Sequence, residues 1–269
     1  MKDRVTLTLD KNLLRQVDAS IDGASVKNRS HAVELLVMKA LKGDMPEQAV
    51  ILGGNTEDQV GKALNMVQGK PVVEHTVEML AKSGIANVII ISGKPDMYRE
   101  HLGNGERFHV QIQYVTETSP LGTAGSLHLA KPYLQGPFIM SNSDELKSIN
   151  IRDMYEFHKA HKGCCTIALT TVPDPSQYGV ALLNGNRIVT FIEKPNPKNA
   201  PSKLISAGLY IMELDVLDLI PAGYAKMEFD IFPKLASQDE LYGYHFSGQY
   251  HDFAAEKKED IEKIWNIAS

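Results

Sequence analysis

Cysteine is nearly absent from this chain: two of 269 residues, and those two are neighbours, Cys164 and Cys165. Adjacent cysteines have no metal-ligand spacing and build no disulfide framework. They are expected to pack in a core strand of a reduced, cytoplasmic protein. Long apolar runs are missing as well. None approaches the roughly 20 residues a membrane helix needs, and the opening MKDRVTLTLD alternates and carries charge, unlike a secretory signal. There is no internal repeat and no low-complexity tract. Charge of one sign is not in large excess either, since 28 Lys and Arg against 33 Asp and Glu leave −5. What the chain does have is apolar material: at 43% hydrophobic it can bury a substantial core, in one large domain or in a small one plus a large one.

The modest net charge is unevenly spread. Residues 1–46 carry eight Lys or Arg against six Asp or Glu, about +2, which leaves about −7 for the rest. Within that head, Arg4 to Leu9 alternates polar and apolar, which predicts a strand with Val5, Leu7 and Leu9 on one face and Arg4, Thr6 and Thr8 on the other. Asp10 stands as an N-cap before a helix with Leu13, Leu14, Val17 and Ile21 on one stripe, ended by Gly23. A second helix is expected from a Ser30 cap, with Val33, Leu36, Val37, Ala40 and Leu41 on its apolar face, ended by Gly43 and Pro46. One strand and two short helices cannot bury their own apolar faces, so a homodimer through this head is expected, or a tetramer if the remainder of the chain adds contacts.

This head resembles the ribbon-helix-helix family of DNA-binding proteins over residues 3–42. The resemblance implies that Arg4, Thr6 and Thr8 enter the major groove of double-stranded DNA and that the backbone at Asn28, Arg29 and Ser30 grips phosphate. The weak positive charge implies modest non-specific affinity.

Beyond a short break at residues 43–47, strands and helices alternate, which predicts a Rossmann-like α/β domain with a mostly parallel sheet over residues 47–269, following a small domain over 1–46. Strands are expected near 49–52, 88–91, 110–115, 138–141, 166–171, 188–193, 207–212 and 242–246, and helices at 72–83, 123–130, 151–161 and 256–267. The apolar run Ala49–Leu52 ends in Gly53-Gly54, and adjacent glycines closing the first strand of an α/β unit let backbone N–H groups approach phosphate. His158 and His161, at i and i+3, and the charged stretch Glu256 to Asp260 read as solvated helix faces.

The segments AVILGG (49–54), GKPVVEH (69–75), SPLGTAGSL (119–127), SNSDEL (141–146), YGVALL (178–183), FIEKP (191–195), ISAGLYIME (205–213), FPKLA (232–236) and HDFAAEKKEDIEKI (251–264) follow one another in the order of the sugar-1-phosphate nucleotidyltransferase family, which this region resembles. The resemblance implies that a sugar phosphate oxygen attacks the α-phosphate of an NTP and releases pyrophosphate, with Mg²⁺ held by Asp144 and Asp252. It implies phosphate binding by Lys62, nucleotide binding by Gly53, Gly54 and Gly122, and sugar-phosphate binding by Gly179, Glu193 and Lys194. Some positions depart from the family. Only Asn55 to Gly61 separate Gly54 from Lys62; this stretch holds no Arg or Lys where the family has an arginine, and it brings Glu57 and Asp58. Lys62 lacks the flanking prolines that would fix its backbone. Ser143 replaces a glycine before Asp144, and Ala254-Ala255 replace a glycine-containing turn after Asp252. A loop with carboxylates in place of a cation stabilises phosphoryl transfer poorly.

From these observations the expected function is a DNA-binding transcriptional regulator whose larger domain binds a nucleotide, sugar phosphate or nucleotide sugar, with weak or lost catalysis. The alternative is an active sugar-1-phosphate nucleotidyltransferase whose head serves oligomerisation or DNA binding.

Overall fold

The computed structural model describes residues 5–23, 26–42 and 45–256, together with Ile261 and Trp265. The chain divides into two compact units, Met1–Asp44 and Met45–Ser269.

In the first unit, helix α1 (Lys11–Ala19) starts at Asp10, whose Oδ1 accepts from Asn12 N at 2.7 Å. Helix α2 (Arg29–Lys42) begins earlier than a Ser30 cap allows, because Asn28 is the residue that bonds back: its Oδ1 accepts from His31 N at 3.0 Å. Arg29 is held by Asp18 in a bidentate pair with both distances 2.7 Å. The strand expected over residues 4–9 is not seen: residues 5–9 form no ladder in the single chain, as a lone strand has nothing to pair with. Arg4 and the side chains of Ala40 and Leu41 lie outside the described residues. Among the described apolar residues of this unit, Val17 and Ala32 are buried, while Val5, Leu7, Leu13, Leu35, Leu36 and Val37 are exposed.

The second unit begins with β1 (Gln48–Leu52), α3 (Glu57–Ala63), a short ladder of β2 (Met66–Val67) with β3 (Lys70–Pro71), and α4 (Val72–Lys82). Next come β4 (Asn87–Ser92), α5 (Pro95–Leu102), β5 (Gln111–Thr116), α6 (Gly122–His128), β6 (Phe138–Asn142), β7 (Glu145–Lys147) and α7 (Ile151–His161). The chain continues through β8 (Cys165–Thr171), β9 (Gly179–Asn184), β10 (Arg187–Glu193), β11 (Leu204–Met212), α8 (Asp215–Asp218), α9 (Phe232–Ser237), β12 (Leu241–His245) and β13 (Tyr250–Asp252). Most of the helix expected over 256–267 lies outside the described residues.

Nine strands make one sheet in the order β5-β4-β1-β6-β11-β8-β12-β10-β9. The pairs among β5, β4, β1 and β6 are parallel, whereas β11 runs antiparallel to both β6 and β8. The mostly parallel sheet expected from the alternation is therefore parallel in one half and mixed in the other. Within the mixed half, β9 and β10 are joined by a tight turn at Gly185, and a short hairpin can pair its strands only antiparallel. Side chains alternate across the sheet. Val50, Ile89, Ile91 and Met140 pack beneath α6 and α9, and Ala49, Ile51, Val88, Ile90 and Ile139 pack on the side of α4, α5 and α7.

The expected solvated histidine face is half wrong. His158 is buried, with Nδ1 2.8 Å from Thr166 Oγ1 and Nε2 3.3 Å from Glu213 Oε1, because α7 lays this position on the sheet. Cys165 is buried in β8 and Cys164 is half-buried beside it, and burial pushes the Cys164 thiol up to about 11.

Candidate active site

Strand β1 ends at the glycine pair, and contacts there forbid larger residues. A Cβ on Gly53 would lie 2.8 Å from the Tyr98 ring, while Gly54 has φ +74° and would meet Gln59 Cβ at 2.6 Å. Tyr98 donates from its buried hydroxyl to Gly53 O at 2.6 Å and contacts Ser143 Oγ at 3.2 Å, tying the end of β1 to the turn after β6. The segment after Gly54 is not a loop throughout. Thr56 and Gln59 form a capping box, the Thr56 hydroxyl accepting from Gln59 N and the Gln59 side chain accepting from Thr56 N, and this starts α3. Lys62 sits in the last turn of α3 with its ammonium on Asp58 at 2.9 Å, a bond that holds its pKa above the usual lysine value. The charges of Asp144 and Asp252 also reach it.

A cavity of about 400 Å³ opens at this end of the sheet, lined by Gly53, Gly54, Asn55, Glu117, Gly122, Asp144 and Lys226 among others. Gly122 has φ +74°, and a Cβ there would lie 2.4 Å from Ala225 O, so a side chain would force the Gly122–Gly125 turn off its partner. Glu117 was not anticipated. It is 5% exposed, and its Oε1 accepts from Leu121 N and Ser126 Oγ, both at 2.7 Å. Its Oε2 has no hydrogen-bond partner among the described residues, which leaves a fixed acceptor on the cavity.

Beside it lies a second cavity of about 170 Å³, lined by Gly179, Glu193, Lys194, Gly208, Glu228 and Asp252 among others. Asn142 and Asp144 line both cavities. The two carboxylates are brought together by β7 and β13, a two-stranded ladder apart from the main sheet that pairs Asp252 with Glu145, with Phe253 N donating to Asp144 O at 3.1 Å. Glu256 is no bystander on a solvated face, since its Oε1 accepts from Asp252 N at 3.0 Å and its Oε2 lies 2.9 Å from His251 Nδ1. Burial, reinforced by Glu145, pushes Asp144 up to about 6; the same two causes, with Asp144 itself adding to them, push Asp252 to about 7. Two carboxylates raised by burial and mutual repulsion suit a divalent cation. Among the described residues no group of three or more acidic, histidine or cysteine side chains could hold a metal, so further ligands to such an ion would be substrate or water oxygens, as Mg²⁺ accepts.

Glu193 is pushed up to about 7 by burial and then by Glu228, while Lys194 and Lys226 oppose that shift. Gly179 is required here: a Cβ would meet the Phe191 ring at 2.3 Å and Glu193 Oε2 at 3.0 Å. The structure thus gathers Gly53, Gly54, Gly122, Gly179, Asp144, Glu193, Lys194 and Asp252 around two adjoining cavities and leaves Lys62 on the lining of neither. Sequence reasoning also missed a buried ion pair under the carboxylates. Lys147, with its side chain fully buried, donates to Glu145 Oε2 at 2.6 Å, Gly208 O at 3.0 Å and Ser141 Oγ at 3.3 Å.

Residues 52–265 match the family model described as nucleotidyl transferase. Mannose-1-phosphate guanyltransferase 2 of Candida glabrata is 36% identical over 206 residues, covering 74% of this chain and 56% of that protein. The mannose-1-phosphate guanyltransferase of Saccharomyces cerevisiae is 35% identical with the same coverage. The chain therefore spans about 56% of the length of these curated relatives. Among solved structures, UDP-glucose pyrophosphorylase complexed with UDP-glucose shares the fold at a TM-score of 0.68 and 18% identity, covering 81% of this chain and 97% of that one. Relatives of this kind overturn the expectation of a DNA-binding regulator with weak or lost catalysis and favour the enzyme alternative. The comparisons give no support for a ribbon-helix-helix head, and the DNA-reading roles expected of Arg4, Thr6, Thr8, Asn28, Arg29 and Ser30 belonged to the regulator reading that is overturned.

Proposed function

The chain belongs to the nucleotidyl transferase family, and on that footing we propose that it transfers a guanylyl group from GTP to a hexose 1-phosphate of the mannose type. The observation that carries this reading is the position of Asp144 on the lining of both cavities, where a nucleotide and a second phosphate would meet. A sugar-phosphate oxygen attacks the α-phosphorus, the bond to the pyrophosphate oxygen breaks, and pyrophosphate leaves; no covalent enzyme intermediate is required. The chain's task is to align two anions and balance their charge. Asp144 and Asp252 would hold Mg²⁺, which supplies neutralisation of the phosphate oxygens. Gly53, Gly54 and Gly122 let the nucleotide lie against backbone, and Gly179, Glu193 and Lys194 take the sugar phosphate. Lys62, bonded to Asp58 and off the lining of both cavities, would add only longer-range positive charge near the two carboxylates.

Guanine is favoured by Glu117. A carboxylate is acceptor-only, and guanine offers two adjacent donors, N1–H and the N2 amine, to one free oxygen. Pyrophosphate release with Mg²⁺ should be fastest for GTP with mannose 1-phosphate, and by about tenfold or more over ATP, UTP or CTP, since those bases present a single donor at that edge where guanine presents two. Absence of release from every nucleotide and sugar phosphate pair would reject the activity, and a clear preference for another base would reject the role given to Glu117.

For the first unit we propose pairing with a second copy of the chain. Six large apolar side chains among the described residues there are exposed in a unit too small to bury its own core, and residues 5–9, which pair with no strand, carry two of them. Light scattering of the full chain should give a dimer or tetramer mass, and Leu7→Asp should reduce it; a monomer in the unaltered chain removes the proposal.

A further inference from the structure

We infer that Lys226 binds the phosphates of the nucleotide, supplying from the far wall of the cleft the positive charge that the Asn55–Gly61 segment does not provide. This inference rests on the nucleotidyl transfer reading above. The segment after Gly54 contributes Glu57 and Asp58 and no cation, and Lys62 at its end is already bonded to Asp58 at 2.9 Å. Lys147 cannot help, because its three N–H donors are spent on Glu145, Gly208 and Ser141. Lys226 is different. It lines the 400 Å³ cavity together with Gly53, Gly54 and Asp144, and it forms no ion pair among the described residues. Its ammonium lies 5.6 Å from the centroid of the Phe229 ring.

The backbone beneath Lys226 is fixed on the turn expected to meet the nucleotide. Ala225 N donates to Leu121 O at 2.8 Å, and Ala225 O accepts from Ala124 N at 3.0 Å and Gly125 N at 3.1 Å. On the other side Met227 N donates to Thr123 Oγ1 at 2.9 Å, and Lys226 N itself donates to Asp230 Oδ2 at 2.7 Å. The stem runs along Gly122, where a Cβ would come within 3.3 Å of Lys226 Cγ. A flexible ammonium on a rigid base, half-buried and in no direct ion pair among the described residues, is suited to an incoming phosphate, with which it forms charge-assisted hydrogen bonds. Two carboxylates, Glu193 and Glu228, also belong to this neighbourhood, and a purely structural role toward them is the competing account.

Calorimetric titration of the full chain with guanosine, GMP, GDP and GTP in Mg²⁺ separates the two. Lys226→Met should weaken GTP binding at least tenfold, about 1.4 kcal/mol, change guanosine binding less than twofold, and raise the KM for GTP more than it lowers kcat. Lys226→Arg should restore most of the GTP affinity. Unchanged GTP affinity in Lys226→Met, with the unaltered chain binding GTP normally, overturns this inference alone. Equal losses for guanosine and GTP overturn it too, because they signal a collapsed cleft. Failure of the unaltered chain both to bind GTP and to release pyrophosphate sinks the enzyme reading and this inference with it.

Discussion

Asp252→Asn should cut turnover by a factor of about 10²–10³, as loss of a charge-stabilising group does, and should at the same time raise the stability of the metal-free protein at neutral pH. The second effect follows from the direction of the pKa shifts. Burial and neighbouring carboxylates hold Asp144 up to about 6 and Asp252 to about 7. Groups raised in the folded state bind protons more tightly there than in the unfolded chain, so their contribution is most favourable below about pH 4 and is lost as pH rises through 6 to 7. A tenfold change in proton affinity corresponds to about 1.4 kcal/mol. Asparagine cannot ionise and removes part of that penalty, so a gain of about 1–3 kcal/mol is expected at pH 8, several degrees in Tm for a domain of this size, and much less at pH 5. Mg²⁺ should stabilise the unaltered protein more at pH 8 than at pH 5 and do little for the variant. Thermal melts with chelator or Mg²⁺ at both pH values decide it; a variant no more stable at pH 8, or one retaining a tenth of the turnover, contradicts the assignment.

Lys147→Met should be the more damaging change to the fold, costing about 3–5 kcal/mol, the usual consequence of stranding one member of a buried ion pair. Its partner Glu145 also accepts from Asn142 Nδ2 at 2.9 Å. With the ammonium gone, that carboxylate would stay charged beside Asp144 and Asp252 or take up a proton, and either raises the energy of the folded state. Replacing both partners, Glu145→Leu with Lys147→Met, should recover most of the loss, because apolar residues of similar volume avoid the desolvation of two charges. Gly208 limits this rescue: it has φ +55°, and a Cβ there would lie 2.0 Å from Glu145 Oε2, so the space beside the strand fits a flat carboxylate better than a branched side chain. Denaturant titration of the two single variants and the double variant gives the coupling directly. A loss below about 1 kcal/mol for Lys147→Met would mean that water reaches the pair.

Much of the large unit was legible because its signals are local. The run Ala49–Leu52 with its two glycines, the PLGTAG turn and the β-branched stretch at 88–91 each carry their structure in a few neighbouring residues. Glu145 and Lys147 defeat that kind of reading. Two opposite charges two residues apart look like a solvated strand edge, and they are buried only because β11 crosses beneath them and Gly208 lacks a side chain. His158 was misjudged for the same reason, its partner Thr166 lying in the next strand and Glu213 after a later one. Helix α3 could have been found, since Thr56 and Gln59 spell a capping box. Lys226 could not, because its value to the cleft depends on Ala225 docking on a turn a hundred residues earlier in the chain.

The β7–β13 ladder sets the order in which the candidate site is assembled. Asp144 belongs to the middle of the chain and Asp252 to its last described strand, so the carboxylate pair cannot exist on the ribosome while the second half of the large unit is still being made. The parallel pairs among β5, β4, β1 and β6 all lie at or before Asn142 and can form before then. Any phosphate-binding surface at the glycine pair would thus be present on the nascent chain before the two carboxylates meet. The carboxylate pair is completed only when the three residues of β13 zip onto β7.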